Sequence, residues 1–129
     1  MPPPSYAYPD DAAFDLYSAE SRMLAPGERY GFRTGLLIEI PEGYAGLVWD
    51  KSGLGIKGGL KTLGGVIDSG YRGEIVIGIV NLSGAEYAIV QGQKIAQMLI
   101  QKKEPVTLEE IETLSQTERG ESGFGSSGK

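Results

Sequence analysis

Residues 66–74 place one acidic and one aromatic side chain around a turn. They read Val-Ile-Asp-Ser-Gly-Tyr-Arg-Gly-Glu, so an apolar strand reaches Asp68, turns at Ser-Gly and returns through Tyr71. This pattern is typical of a β-hairpin with both side chains near its mouth. A carboxylate there could act as a general base. The alternative is that Asp68 only initiates the turn while Tyr71 packs on the surface.

A cation, a hydroxyl and two glycines follow the apolar stretch that ends at Trp49. The segment is Asp50-Lys51-Ser52-Gly53-Leu54-Gly55. Small residues let backbone N–H groups approach an anion closely, and the lysine and serine add a charge and a donor. The segment could therefore bind phosphate, and an ordinary polar loop is the other interpretation.

The end of the chain combines a flexible composition with one large aromatic residue. Residues 119–128 are rich in Gly and Ser, which predicts a mobile tail, yet Phe124 lies between glycines. An aromatic ring that covers a flat ligand would explain this, with Arg119 and the serine hydroxyls reaching phosphate.

Two weaker candidates are Asp15 and Gln97. Asp15 lies in the run Ala-Phe-Asp-Leu-Tyr-Ser-Ala, and an acidic residue in an apolar strand is costly to bury unless it is paired or near a metal. A structural ion pair is the alternative for Asp15. Gln97 lies in Gly-Gln-Lys-Ile-Ala-Gln and indicates little by itself.

Composition narrows the chemistry further. The 129 residues include no cysteine and no histidine, which removes thiolate nucleophiles, Ser/His triads and the usual zinc ligands. Base catalysis must then come from a carboxylate, and a metal must be held by oxygen, which suits Mg²⁺. A net charge of −5 provides no positive field for DNA, RNA or an anionic membrane. We therefore expect no nucleic acid polymer as the main partner.

The sequence also predicts a soluble protein with no membrane partner. No apolar run approaches the roughly 20 residues that cross a bilayer, and no signal-peptide pattern is present at the start. We therefore expect a cytoplasmic location.

The elements that position these residues are predicted to be short β-strands in one domain. Apolar runs are interrupted by Gly, Pro, Asp and Ser up to about position 105, which is typical of an all-β fold. A short helical turn is allowed around residues 54–60, and residues 107–115 permit either a helix or a strand. The predicted strands cover residues 14–18, 30–39, 44–49, 74–81, 87–90 and 94–101.

Taken together, five segments resemble the ordered motifs of the deoxyuridine triphosphate nucleotidohydrolase (dUTPase) family. In chain order they are Ala-Phe-Asp-Leu-Tyr-Ser-Ala, Lys-Ser-Gly-Leu, Gly-Val-Ile-Asp-Ser-Gly-Tyr-Arg-Gly-Glu, Gly-Gln-Lys-Ile-Ala-Gln and Arg-Gly-Glu-Ser-Gly-Phe-Gly-Ser-Ser-Gly. The match covers nearly the whole chain, from about residue 11 to residue 128. The third and fifth segments are specific, and the others gain weight from their order.

The resemblance implies a distorted jelly-roll-like (β-clip) subunit with at most one short helix. It also implies a homotrimer whose three active sites draw motifs from more than one chain. Residues 1–118 would form the β domain, with 1–11 as an extended N-terminal arm. Residues 119–129 would be a flexible lid that closes over nucleotide at a neighbouring interface.

The activity implied is Mg²⁺-dependent hydrolysis of dUTP to dUMP and pyrophosphate, which limits uracil incorporation into DNA and supplies dUMP for dTMP synthesis. Asp68 would orient a water for attack on the α-phosphorus, and Asp15 would help to hold Mg²⁺ through its waters. Tyr71 would exclude a 2′-hydroxyl, and Phe124 would stack on uracil. The substrate-binding residues implied are Lys51, Ser52, Gly53, Thr62, Gly65, Val66, Ile67, Tyr71, Val76, Gln97, Arg119, Phe124, Gly125, Ser126 and Ser127.

Some positions depart from the family pattern. Lys51 replaces the more common Arg and loses bidentate geometry. Gln93 and Lys94 stand where an acidic residue and Arg are common, which puts a supporting ion pair in doubt. Thr62 replaces an Asn that touches the base in some members, so its contribution to uracil recognition is open.

Two other functions are open on the sequence. A related deoxycytidine triphosphate deaminase would share the fold and release ammonia, but those chains tend to be longer, and the Gly-Phe-Gly-Ser-Ser-Gly tail favours the diphosphatase. A catalytically silent nucleotide-binding trimer is the second. Its simplest sign, loss of the acidic residue at position 68, is absent.

Overall fold

The computed structural model describes residues 3–125, and the regular secondary structure of these residues is almost all β-strand. The described part contains nine strands and one helix of five residues, which confirms the predicted fold class. The strands are β1 Phe14–Tyr17, β2 Arg22–Leu24, β3 Arg29–Leu37, β4 Tyr44–Trp49, β5 Leu60–Leu63, β6 Val66–Ile67, β7 Glu74–Asn81, β8 Tyr87–Ile89 and β9 Lys94–Lys102.

The strands form three antiparallel sheets. The first has the order β1-β9-β4-β6, the second pairs β2 with β8, and the third has the order β3-β7-β5. Neighbours in these sheets are mostly distant in sequence, as when β1 pairs with β9. The arrangement therefore brings Asp15 opposite Gln97 and Trp49 opposite Gln97 in one sheet.

The core lies between the sheets and follows the two-residue period of the strands. In β7, the side chains of Ile75, Ile77 and Ile79 are each 1% exposed, whereas Val76 between them is 50% exposed. Phe32 of β3 lies opposite Ile77 and is fully buried. This alternation gives β7 one face in the core and one face available to a site.

Residues 53–65, six of which are glycines, contain more regular structure than this composition predicts. The helical turn expected around residues 54–60 is present as a π-helix at Gly53–Lys57. Strand β5 directly follows it and was not predicted. Its pairing with β7 through Leu60↔Asn81 to Leu63↔Gly78 supplies the support that local propensity lacks. The three-residue strand β2 was also missed.

Residues 103–125 contain neither a regular helix nor a strand, so neither alternative for residues 107–115 is present. Almost every residue of this segment is exposed. At the other end, residues 3–11 lie outside the sheets and carry one turn, in which the Tyr8 N–H donates to the Asp11 carboxylate at 2.9 Å.

Among residues 3–125, no helix has the length and apolar character needed to cross a membrane.

Candidate functional site

Asp68 lines a cavity of about 200 Å³, which we call the Asp68 cavity. Five of its lining residues were predicted to act together in one site. Among residues 3–125 the Asp68 carboxylate makes no hydrogen bond or ion pair, so its oxygens are available to a water or a ligand. The lining residues are Val66, Ile67, Asp68, Tyr71, Glu74, Ile75 and Val76.

The predicted hairpin around Asp68 is wrong in its pairing. Strand β6 pairs with β4 through Gly46↔Ile67 and Leu47↔Val66, whereas β7 belongs to the β3-β7-β5 sheet. The turn itself is present, because the Tyr71 N–H donates to the Asp68 carbonyl at 3.1 Å. The segment is therefore a loop that crosses between two sheets, and the cavity lies where its two ends diverge.

The position of Tyr71 depends on two neighbours in the same loop. Its hydroxyl donates to the Glu74 carbonyl at 2.8 Å, and its ring lies against Gly73, where an added Cβ would overlap the ring. The Glu74 carboxylate accepts the Gly35 N–H at 2.8 Å and contacts Arg33 at 3.1 Å. The Gly35 N–H, with the Arg33 charge, lowers the pKa of Glu74. Tyr71 is thus anchored to the start of β7.

Asp15, Lys51 and Gln97 line a second cavity of about 390 Å³, which we call the Asp15 cavity. Asp15 lies on β1, Gln97 on β9 and Lys51 two residues after the end of β4, so the first sheet brings the three together. The remaining lining residues are Ala7, Asp11, Ala12, Ala13, Trp49 and Leu99.

Asp15 is 7% exposed and forms two ion pairs. Its Oδ1 contacts Lys51 Nζ at 2.6 Å, and its Oδ2 contacts Lys94 Nζ at 3.3 Å. Burial alone would raise the pKa of this carboxyl, but the hydrogen bonds and charges of the two lysines outweigh it and lower the pKa. Lys94, which departs from the family pattern, thus forms an ion pair with Asp15 in this structure.

The oxygen atoms of Asp15 fit a Mg²⁺ ion held through water. Each carboxylate oxygen can accept more than one donor, so the lysine contacts leave capacity for a water. Mg²⁺ commonly keeps several waters and takes only one or two protein carboxylates. Residues 3–125 contain no group of three or more acidic side chains that could form a cage.

A third cavity, of about 230 Å³, lies beside Thr62 and Gly65, and we call it the Thr62 cavity. It shares Trp49 with the Asp15 cavity and Val66 with the Asp68 cavity. Thr62 itself is 7% exposed, and its N–H and hydroxyl both donate to Asp50 Oδ1 at 2.7 Å. Asp50 opens the Lys51 segment, but no role was predicted for it, because its partner lies on a strand that was not predicted.

Ser52 and Gly53 lie at the start of the short helix. Ser52 is exposed, and its side chain makes no capping hydrogen bond. Gly53 has open space around the position of a Cβ. Both therefore leave room for a ligand to approach the backbone next to Lys51.

The described part of the tail lies outside all three cavities. Arg119 Nε donates to the Ser122 carbonyl at 2.7 Å, and Phe124 is fully exposed with a φ of +49°. Gly125 follows with a φ of +85°. Ser126 and Ser127 lie outside the described residues. Within one chain, the structure therefore does not bring Arg119, Phe124 or Gly125 to the other predicted site residues.

Curated relatives match the chain over almost its full length. Deoxyuridine 5'-triphosphate nucleotidohydrolases from Thermobifida fusca and Mycobacterium tuberculosis are 44% and 46% identical over 99% of this chain, covering 73% and 88% of their own lengths. The enzyme of that name from Clostridium tetani is 42% identical over 98% of this chain and 88% of its own.

Solved structures similar to this chain are also dUTPases. A Staphylococcus bacteriophage 80alpha dUTPase with dUPNHPP superposes with a TM-score of 0.91 at 33% identity, covering 99% of this chain and 92% of that one. A mutant dUTPase from phage phi11 of S. aureus, described with a structural Mg(II) ion, gives a TM-score of 0.81 at 30% identity over 87% and 90% of the two chains. The dUTPase family model matches residues 1–128. The chain therefore belongs to the dUTPase family.

Proposed function

We propose that this protein hydrolyses dUTP to dUMP and pyrophosphate, with Asp68 orienting a water for attack on the α-phosphorus. The observation that carries the proposal is the Asp68 carboxylate, which has no partner among residues 3–125 and lines a cavity with Tyr71. Membership of the dUTPase family supports the same reaction. Such an activity limits uracil incorporation into DNA and supplies dUMP for dTMP synthesis.

Uracil would bind between the main chain of Gly65, Val66 and Ile67 and the facing strand at Val76. A fixed set of backbone donors and acceptors that matches uracil leaves groups unpaired when cytosine enters, because its amino group reverses one hydrogen bond. Val66, Ile67 and Val76 line one cavity, which supports this arrangement. Tyr71 would lie against the deoxyribose and exclude a 2′-hydroxyl.

The triphosphate would be bound by the Asp15 cavity and the adjoining loop. Lys51 and Gln97 face this cavity, and Ser52 and Gly53 leave the neighbouring backbone open. Charge that develops on the leaving pyrophosphate would be stabilised by these groups. The tail, residues 119–129, would act as the lid, with Phe124 and Gly125 on uracil and with Arg119, Ser126 and Ser127 at the phosphates.

Asp15 would hold Mg²⁺ through water molecules, and the Lys51 and Lys94 contacts would keep its carboxylate in place and ionised. When bound, the ion supplies positive charge to the phosphate oxygens.

We further propose a homotrimer with shared sites. Four apolar side chains of the extended segment 103–125 are exposed: Val106 by 74%, Leu108 by 93%, Ile111 by 51% and Leu114 by 79%. A row of exposed apolar residues on a segment without its own secondary structure favours burial against another chain. The separation of the tail from the cavities of its own chain supports sites completed by neighbours.

The deciding experiment measures pyrophosphate release from dUTP, dCTP, dTTP and UTP with and without Mg²⁺, and ammonia release in parallel. We expect pyrophosphate from dUTP alone, in a Mg²⁺-dependent manner. Ammonia from dCTP would instead identify the related deaminase. Binding of dUTP without either product would identify a silent nucleotide-binding protein.

Gly73→Ala is expected to weaken the discrimination between dUTP and UTP by roughly tenfold in the ratio of kcat/KM, or about 1.4 kcal/mol. A Cβ at position 73 would overlap the Tyr71 ring, which must then move away from the sugar. Gly70→Ala in the same loop is the matched control, because a Cβ there has nothing within 4 Å. Equal UTP discrimination in the two variants would contradict the proposed role of Tyr71.

A further inference from the structure

We propose that Glu74 is a positioning residue that determines how strictly the site rejects a ribonucleotide, because its side chain holds in place the main-chain atom to which Tyr71 is bonded. The proposal rests on the proposed dUTP hydrolysis and deepens it by adding a residue to sugar selectivity. Glu74 is the first residue of β7 and lines the Asp68 cavity together with Tyr71. The residues involved lie on β3, on β7 and in the loop between β6 and β7.

Strand β3 is irregular where it pairs with the start of β7. The register places Arg33 opposite Val76 and Leu37 opposite Glu74, so residues 34–36 of β3 stand opposite a single residue of β7. We call residues 34–36 the β3 bulge. Extra residues on one strand of a ladder leave main-chain groups without a partner on the other strand. The β3 bulge therefore needs hydrogen-bond acceptors from outside the ladder.

The Glu74 side chain supplies one of these acceptors. Its Oε2 accepts the N–H of Gly35, the central residue of the β3 bulge, at 2.8 Å. The Gly35 N–H is also the largest cause of the lowered pKa of Glu74, so the acceptor is a carboxylate at neutral pH. The Arg33 side chain contacts the same carboxylate but is 67% exposed, and an ion pair of this kind contributes little. The Gly35 contact is therefore the main attachment of this side chain.

The main chain of Glu74 holds Tyr71. The Glu74 carbonyl accepts the Tyr71 hydroxyl at 2.8 Å. Tyr71 is 43% exposed, so packing restrains its ring only in part, and this hydrogen bond carries more of the restraint. Glu74 thus connects the tyrosine, through its carbonyl, to the β3 bulge, through its carboxylate.

A fixed tyrosine matters because a ring excludes a 2′-hydroxyl only while it cannot move aside. Glu74 lies at the end of the β7 ladder, where strands open most easily. Loss of its side-chain contact would free the carbonyl that holds Tyr71, and UTP would gain more from this than dUTP would lose. The Asp68 carboxylate makes no contact with Glu74 among residues 3–125, so water activation should change little.

The test measures kcat/KM for dUTP and for UTP in Glu74→Met and Glu74→Gln. Methionine matches the length of the side chain with only a weak acceptor, whereas glutamine keeps an oxygen that can accept the Gly35 N–H. We expect Glu74→Met to lower the preference for dUTP over UTP about fivefold, as loss of one hydrogen bond would. Glu74→Gln should keep most of the preference. Arg33→Gln is the matched control, because it removes only the exposed ion pair.

Tyr71→Phe shows whether Glu74 acts through the tyrosine. This substitution removes the hydroxyl that donates to the Glu74 carbonyl. Adding Glu74→Met to Tyr71→Phe should therefore lower the preference for dUTP little further, because both changes break the same connection.

An unchanged preference in Glu74→Met, or an equal loss of kcat/KM on dUTP and UTP, would overturn the proposal. So would additive losses in the double variant. If Glu74→Met does not fold, Glu74→Asp provides the test, since its carboxylate is one methylene too short for Gly35 and the preference should fall as expected for methionine. Calorimetric affinities for dUMP and UMP measure the preference without turnover. Wild-type protein that binds dUMP but releases no pyrophosphate from dUTP would refute the proposed hydrolysis and leave this measurement intact.

Discussion

Asp68→Asn is expected to lower the turnover of dUTP at least about a hundredfold while nucleotide binding is retained. The carboxamide keeps the shape of the side chain, so the Asp68 cavity should still accept the base and sugar. It lacks the negative charge that would orient the water and accept its proton. Steady-state pyrophosphate release would give kcat, and calorimetry with a non-hydrolysable dUTP analogue would give the affinity.

The matched control for this variant is Asp10→Asn. Asp10 is an exposed aspartate near the N-terminus and lines none of the three cavities. The Asp10→Asn substitution changes the net charge by the same amount as Asp68→Asn, and it should leave kcat within about twofold of the wild-type value. Unchanged turnover in Asp68→Asn would remove Asp68 from its proposed role. A parallel loss of analogue affinity would show that the residue binds nucleotide rather than activating water.

Removal of the chain after Glu118 is expected to lower kcat/KM for dUTP by roughly a hundredfold or more while the β domain stays folded. Stacking of an aromatic ring on a base is worth about 1–3 kcal/mol. A hydrogen bond to a charged group adds about 1.5–3 kcal/mol, so loss of Phe124 and Arg119 contacts gives an effect of this size. Pyrophosphate release reports the activity, and thermal unfolding reports the fold.

Assemblies that contain both Asp68→Asn chains and tail-deleted chains test whether the tail acts at a neighbouring site. Neither Asp68→Asn chains nor tail-deleted chains should be active alone, but refolding them together should recover part of the activity if the tail serves a neighbouring site. A complete site would then combine Asp68 from one chain with the tail of another. Recovery in the mixture supports shared sites. Full activity of the tail-deleted protein alone would show that the tail is not a lid.

Most of the β-fold follows from sequence patterns that are local. The alternation of Ile75, Ile77 and Ile79 in β7 is visible in the sequence, and the strand has the predicted bounds. Strand β5 is different, because glycines surround it and its place in a sheet comes from the ladder with β7. Such a strand depends on tertiary pairing, which a local pattern does not contain.

In the candidate site too, features that depend on local motifs were predicted, and features that depend on tertiary pairing were not. The groupings of Asp68 with Tyr71 and of Asp15 with Lys51 were expected from the motifs, and each pair lines a common cavity. No role was predicted for Asp50, because its side chain accepts two hydrogen bonds from a residue on the unpredicted strand β5. The pairing of β6 was also missed, since a turn signal gives no information about which sheet each flanking strand joins.

The divergence of β6 and β7 into separate sheets has a consequence for selectivity. In a true hairpin, ladder hydrogen bonds would set the distance between the two strands flanking the turn. Here that distance is governed by how closely the sheets pack, through side chains such as Ile77, which is buried in the core and does not line the Asp68 cavity. In the proposed site, the width available to a pyrimidine would thus be set by packing in the protein interior. Tolerance of a larger base could evolve by repacking that interior, with every nucleotide-contacting group left unaltered.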